Sequence, residues 1–173
     1  MINNVIKIRI KHIQANLDDG YEQAMKGDFK TARQTFTDVL NQNPKSIKAL
    51  CNRGNCYKEL YDYQNALNDY NTAIELDPEI DYLFVNRALV YEELELYDEA
   101  FKDYEKTIEI EPESYDAYNN RGDLNRRLRN YAESYRDLDM AIEIEPMESA
   151  AYVNRGILKE VMGDFYGAID DYT

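Results

Sequence analysis

The 173-residue chain carries 34 acidic and 20 basic residues, a formal charge of −14, on a composition that is 44% hydrophobic. That much apolar side chain supports a folded core, while the surplus of carboxylates repels nucleic-acid phosphates and anionic membrane surfaces. No apolar run approaches the roughly 18 residues of a membrane span, and the opening MINNVIKIRIKH alternates isoleucine with lysine and arginine, unlike a signal-peptide core, so a soluble, cytoplasmic chain is expected.

Residues 1–12 read as an N-terminal extension. From Ile13 onward the chain follows a ruler: its four prolines, Pro44, Pro78, Pro112 and Pro146, stand 34 residues apart (78 − 44, 112 − 78 and 146 − 112). A fixed period of that length is the mark of stacked structural repeats. The repeats are 13–46, 47–80, 81–114, 115–148 and an incomplete 149–173, numbered here from position 1 of each. Position 8 reads Gly20, Gly54, Ala88, Gly122 and Gly156, and position 20 reads Ala32, Ala66, Ala100, Ser134 and Ala168. Small residues at both places predict two closely approaching helices, with position 8 facing position 20 and bulky residues at 4, 11, 17 and 24 filling the space around them.

The first repeat is divergent, with Asn16 and Gln23 at bulky positions. The second has Leu50, Tyr57, Tyr63 and Tyr70, and the third Phe84, Tyr91, Tyr97 and Tyr104, a helical and not an alternating spacing. Gly27-Asp28 and Gly163-Asp164 mark a turn at positions 15 and 16, and the proline at 32 marks a second, so each repeat is predicted to be helix A, turn, helix B, turn. Ten of the sixteen tyrosines occupy positions 4, 11, 17 or 24 and are expected in the core, not on a base-stacking platform. Cys51 and Cys56, five apart on one helix, cannot bridge. With one histidine, His12, and every glycine placed at a helix contact or turn, neither a metal centre nor a phosphate loop is expected, and no cofactor.

This pattern resembles the tetratricopeptide repeat, in one register without insertion from Ile13 to Thr173. The resemblance implies an all-α fold: a right-handed superhelical α-solenoid of antiparallel helix pairs whose A helices line a concave groove.

Position 7 holds Arg53, Arg87, Arg121 and Arg155, and position 23 holds Asp69, Asp103, Asp137 and Asp171; repeat 1 lacks both, having Asp19 and Thr35. Recurring together, they predict bidentate arginine–aspartate bonds along the helix seam, the alternative being a row of arginines that holds a phosphate or sulfate chain. Position 6 holds Asn52, Asn86, Asn120 and Asn154, on a helix face turned away from positions 4, 8 and 11. A primary amide matches the N–H and C=O of a peptide unit. The resemblance implies that these four form an asparagine ladder for an extended peptide; the other reading is that they bond to neighbouring helices or water. Beside them, Cys51, Asn55, Val85, Leu89, Asn119 and Asp123 at positions 5 and 9 are expected to wall the groove, with Arg126 and Arg127 as one basic spot for a carboxylate. The lysines and arginine of the family's chaperone-binding clamp are absent: Cys51, Val85 and Asn119 stand at position 5, asparagine at 6, and only Lys48 at position 2 has the charge.

The function expected is non-enzymatic: a scaffold or adaptor that holds an extended, neutral to basic protein segment, with no nucleic acid and no membrane as partner. Two alternatives stay open, a substrate-positioning arm of a larger enzyme and a scaffold that self-associates end to end.

Overall fold

Every helix–turn–helix connection in the chain turns on one left-handed residue at position 15. Gly27 and Gly163 supply it at φ 80° and 85°, but Tyr61, Glu95 and Arg129 adopt it too, at φ 60°, 58° and 65°. The next residue then ends one helix and starts another. Asp28, Asp62, Asn130 and Asp164 donate their N–H back to Gln23, Tyr57, Asn125 and Lys159 at 2.8–3.0 Å, the six-to-one bond of a Schellman ending. The carboxylates of Asp28, Asp62 and Asp164 also accept from Thr31, Asn65 and Gly167, capping the following helix.

The structure, a computed structural model, describes residues 2–173, with side chains from Lys11 onward. Its helices are α1 (Ile2–Met25), α2 (Phe29–Gln42), α3 (Ile47–Glu59), α4 (Tyr63–Leu76), α5 (Asp81–Glu93), α6 (Tyr97–Ile110), α7 (Tyr115–Arg127), α8 (Tyr131–Ile144), α9 (Ser149–Met162) and α10 (Phe165–Tyr172). No strand occurs among the described residues. Helix α1 begins at Ile2 and passes without a break through the boundary read at residue 13.

The helices form two compact units, Met1–Leu94 and Glu95–Thr173. In the N-terminal unit each helix packs on the next from α1 to α5, and the A helices α1, α3 and α5 also meet in succession. In the C-terminal unit the same holds from α6 to α10, with α7 touching α9. Within each unit, connections of two or three residues inside a repeat make α1 and α2, α3 and α4, α7 and α8, and α9 and α10 antiparallel neighbours.

Position 8 lies against position 24. A Cβ placed on Gly54 would fall 2.8 Å from the Tyr70 ring, on Gly20 2.7 Å from Phe36, on Gly122 2.8 Å from Leu138 and on Gly156 within the ring of Tyr172. The missing side chain is therefore the seat of a large one sixteen residues on. Tyr70, Phe36 and Leu138 are fully buried there, each stabilising the fold by roughly 1.5–3 kcal/mol through removal of apolar surface from water. The small residues of position 20 are buried as well, beneath the A helix. Tyrosines at positions 4, 11 and 17 are only half-buried, so the core expected of all ten is concentrated at position 24.

Ser134 is the exception at position 20, where four repeats have alanine. It is fully buried and its hydroxyl has no hydrogen-bond partner among the described residues. Replacing Ser134 by alanine removes a buried, unbonded polar group and is expected to raise stability by about 1 kcal/mol. The check is a urea melt: the midpoint rises with the slope unchanged, whereas a fall would mean that the hydroxyl is bonded in solution.

Candidate functional site

The arginines of position 7 organise the surface on which a site can form. Arg53 donates from Nε and Nη2 to both carboxylate oxygens of Asp69, at 2.8 and 2.7 Å. Arg121 does the same to Asp137 at 2.9 and 2.7 Å, and Arg155 to Asp171 at 3.0 and 2.6 Å. The remaining nitrogen reaches sixteen residues the other way, to position 25 of the preceding repeat. Nη1 of Arg53 donates to Thr37 at 3.3 Å, that of Arg87 to Asn71 at 2.6 Å and that of Arg155 to Asp139 at 2.6 Å. One guanidinium thus ties a helix A to its own helix B and to the helix B before it. The flat face of the group is covered by a ring of its own helix, Tyr57 at 5.9 Å, Phe84 at 5.5 Å, Tyr118 at 5.5 Å and Tyr152 at 5.6 Å.

Electrostatics agrees with this geometry. The hydrogen bond to Asp69, foremost, raises the Arg53 pKa against the opposing effect of burial. Burial alone would raise the Asp171 pKa, but Arg155 and Lys159, whose Nζ lies 2.8 Å away, hold that carboxyl below its usual range. The donors of Arg53, Arg121 and Arg155 are directed at carboxylates inside the scaffold, which leaves no arginine row open to a phosphate or sulfate chain. The position 25 partners Thr37, Asn71 and Asp139 share an acceptor oxygen and nothing else.

The position 6 asparagines are half-buried, and three spend one amide hydrogen on the scaffold. Nδ2 of Asn52 donates to the Lys48 carbonyl at 2.8 Å, that of Asn86 contacts the Cys51 sulfur at 3.6 Å, and that of Asn154 donates to the Asn119 amide oxygen at 2.9 Å. Among the described residues no donor reaches the amide oxygens of Asn52, Asn86 and Asn154, and Asn120 has no bond at all.

The expected groove wall needs correction. Cys51, Val85 and Asn119 are buried, at 6%, 7% and 9% exposure, and are not available to a ligand. For Cys51 and Asn119 the reason lies one repeat away: Cys51 meets Asn86 and Asn119 meets Asn154 of the following A helix, each pair 35 residues apart. Burial pushes the Cys51 thiol up to about 11, against the pull of the Asn86 amide. Asn55 accepts the hydroxyl of Tyr70 at 2.6 Å, so its oxygen is also in use. Arg126 and Arg127 are both claimed by Asp123, at 2.6 and 3.4 Å on the same helix, which joins three expected ligand contacts into one internal cluster. Leu89 lies apart, half-buried beside Lys58, Tyr61, Tyr63, Glu92 and Glu93.

A different set of residues does line an open recess on the A-helix side of the N-terminal unit. Asn52, Asn55 and Asn86 border a space of ≈ 320 Å³ together with Tyr21, Met25 and Phe29. Tyr21 is 56% and Met25 72% exposed. Met25 and Phe29 went unread as site residues because position 17 reads as core and position 13 was not compared between repeats. Their signal is the combination of apolar character with the divergence of the first repeat.

Among the described residues no group of histidine, cysteine and carboxylate side chains is arranged to hold a metal ion, and no helix is long and apolar enough to cross a membrane.

Residues 47–80 and 82–114 each match a family model described as tetratricopeptide repeat. A tetratricopeptide repeat protein from Parabacteroides merdae is 31% identical at a TM-score of 0.78, over 92% of this chain and 62% of that one, so the chain spans less than two thirds of its length. A thermophilic tetratricopeptide repeat protein of Thermus thermophilus superimposes at a TM-score of 0.81 with 19% identity, over 92% of this chain and 88% of that one. YrrB, described as having an unusual peptide-binding site, reaches 0.65 with 16% identity, over 94% of this chain and 88% of its own. The chain belongs to the tetratricopeptide repeat family, and its all-α repeat fold is that of a protein–protein interaction scaffold.

The seam makes a direct prediction. Replacing Asp137 by alanine leaves the partly buried Arg121 without its bidentate partner and is expected to cost about 2–3 kcal/mol, while changing the pair together to methionine and leucine recovers part of that loss. Urea melts of the three proteins check it.

Proposed function

We propose that this scaffold holds an extended peptide of a partner protein in the recess of the N-terminal unit, with Asn52 and Asn86 contacting the peptide backbone. The observation that carries this reading is the conjunction at one recess of two amides with unclaimed oxygens and of exposed apolar side chains. Each amide oxygen accepts a backbone N–H and each remaining amide hydrogen donates to a backbone carbonyl, which is sequence-independent recognition. Tyr21, Met25 and Phe29 add selectivity for an apolar side chain, since exposed surface of this kind gains from being covered. Asn120 and Asn154 are the equivalent residues of the C-terminal unit and offer the same chemistry there.

A net charge of −14 favours a neutral to basic peptide, because it speeds the approach of a cationic partner and slows that of an acidic one. The role is non-catalytic and is exercised in the cytoplasm. At a net ~1 kcal/mol per hydrogen bond the two amides supply modest affinity, and the apolar contacts supply the rest.

Selection of ligands from a displayed peptide library, followed by titration against the Asn52→Ala/Asn86→Ala double variant, tests the reading. Affinity is expected to fall by about tenfold or more with the helix content unchanged. Undiminished affinity for every selected peptide would rule out the amide pair as the binding element.

A further inference from the structure

Position 11 varies along the chain, reading Gln23, Tyr57, Tyr91, Asn125 and Lys159. The Tyr57 ring lies between two guanidinium groups, Arg53 of its own repeat at 5.9 Å and Arg33, position 21 of the preceding repeat, at 5.6 Å. It thereby fills the gap between two successive helix pairs. In repeat 4 the corresponding neighbours are Arg121 and Phe101, but the side chain between them is a short amide. Asn125 is 6% exposed, donates to Asp137 at 3.2 Å and accepts from Asn130 at 3.3 Å, so it is drawn down against the seam.

A recess of ≈ 430 Å³ opens above it, bordered by α6, α7 and α8 within the C-terminal unit. Phe101, Tyr118, Arg121 and Met140 line it, with Glu105 and Glu133 on its polar side. Met140 at the rim is 39% exposed.

We propose that this recess is a docking site for an aromatic side chain of a partner protein, tyrosine or phenylalanine, whose ring takes the place that Tyr57 fills in repeat 2. Three features of the lining select for a ring. The Phe101 ring and the Arg121 guanidinium both offer flat faces to stack on, and the Met140 sulfur is a favourable neighbour of a ring edge. Glu105 and Glu133, which line the recess with Arg136, offer acceptor oxygens to a phenolic hydroxyl, which favours tyrosine. An aliphatic side chain gains none of these contacts. The site shares no residue with the asparagine recess of the N-terminal unit, so binding there stands or falls independently of the peptide reading.

The full chain, ¹⁵N-labelled, is titrated with N-acetyl-tyrosinamide and N-acetyl-phenylalaninamide, with N-acetyl-leucinamide as control. Saturable amide shifts confined to α6, α7 and α8, given by the aromatic probes and not by leucine, are expected. They are expected to vanish in Asn125→Tyr, where the protein's own ring occupies the space, and to persist in Asn52→Ala/Asn86→Ala. Should Asn125→Tyr not fold, Met140→Glu, a change at the exposed rim, is expected to abolish the shifts in its place. Absence of saturable shifts, equal shifts from leucinamide, or shifts unchanged in a folded Asn125→Tyr or Met140→Glu would overturn the proposal.

Discussion

A single guanidinium with two opposite obligations sets the geometry of the repeats that carry it, most fully at Arg53 and Arg155. At position 7 it satisfies a buried carboxylate sixteen residues ahead, and where an acceptor is provided it bonds sixteen residues behind. A lysine offers no planar fork and could not serve both directions with aligned bonds. The carboxylates Asp69, Asp137 and Asp171 are buried enough that leaving them unpaired would be costly, so the arginine fixes the rotation of helix A about its axis. Position 8 is then turned into its own pair, where only a small residue leaves room for the ring or leucine of position 24.

That rotation also decides what the chain can offer to a partner. With position 7 in the seam, Cys51 and Asn119 at position 5 meet the next A helix and are buried, and position 6 is left half-buried. Three of the asparagines are accordingly anchored: one amide hydrogen of Asn52, Asn86 and Asn154 is spent on the neighbouring turn or helix. The same rotation explains why Asn154 and Asn119 form a pair within the scaffold and why Cys51 behaves as a core residue.

Much of the fold was legible from the sequence, because the 34-residue prolines and the small residues at 8 and 20 are repeated without insertion. The arginine–aspartate seam was legible for the same reason: both members recur, and both are missing from repeat 1. The contact of position 8 with position 24 was not, since two small residues in one repeat look like natural neighbours and nothing in their spacing says that a ring packs against one of them. Burial of Cys51 and Asn119 at position 5 was hidden because the group that meets each belongs to the following repeat, which the periodicity of one helix does not reveal. Position 25 escaped notice through chemical variety, with Thr37, Asn71, Glu105 and Asp139 sharing only an acceptor oxygen. Arg126 and Arg127 were readable after all: Asp123 stands three and four residues before them, the spacing at which helical side chains pair.

The two-way arginine is tested most directly by double-mutant cycles on Arg155, one with Asp171 in its own repeat and one with Asp139 in the repeat before. Coupling of at least about 0.5 kcal/mol is expected in both cycles. A coupling with Asp139 indistinguishable from zero, beside a strong one with Asp171, would contradict a clamp that joins successive repeats.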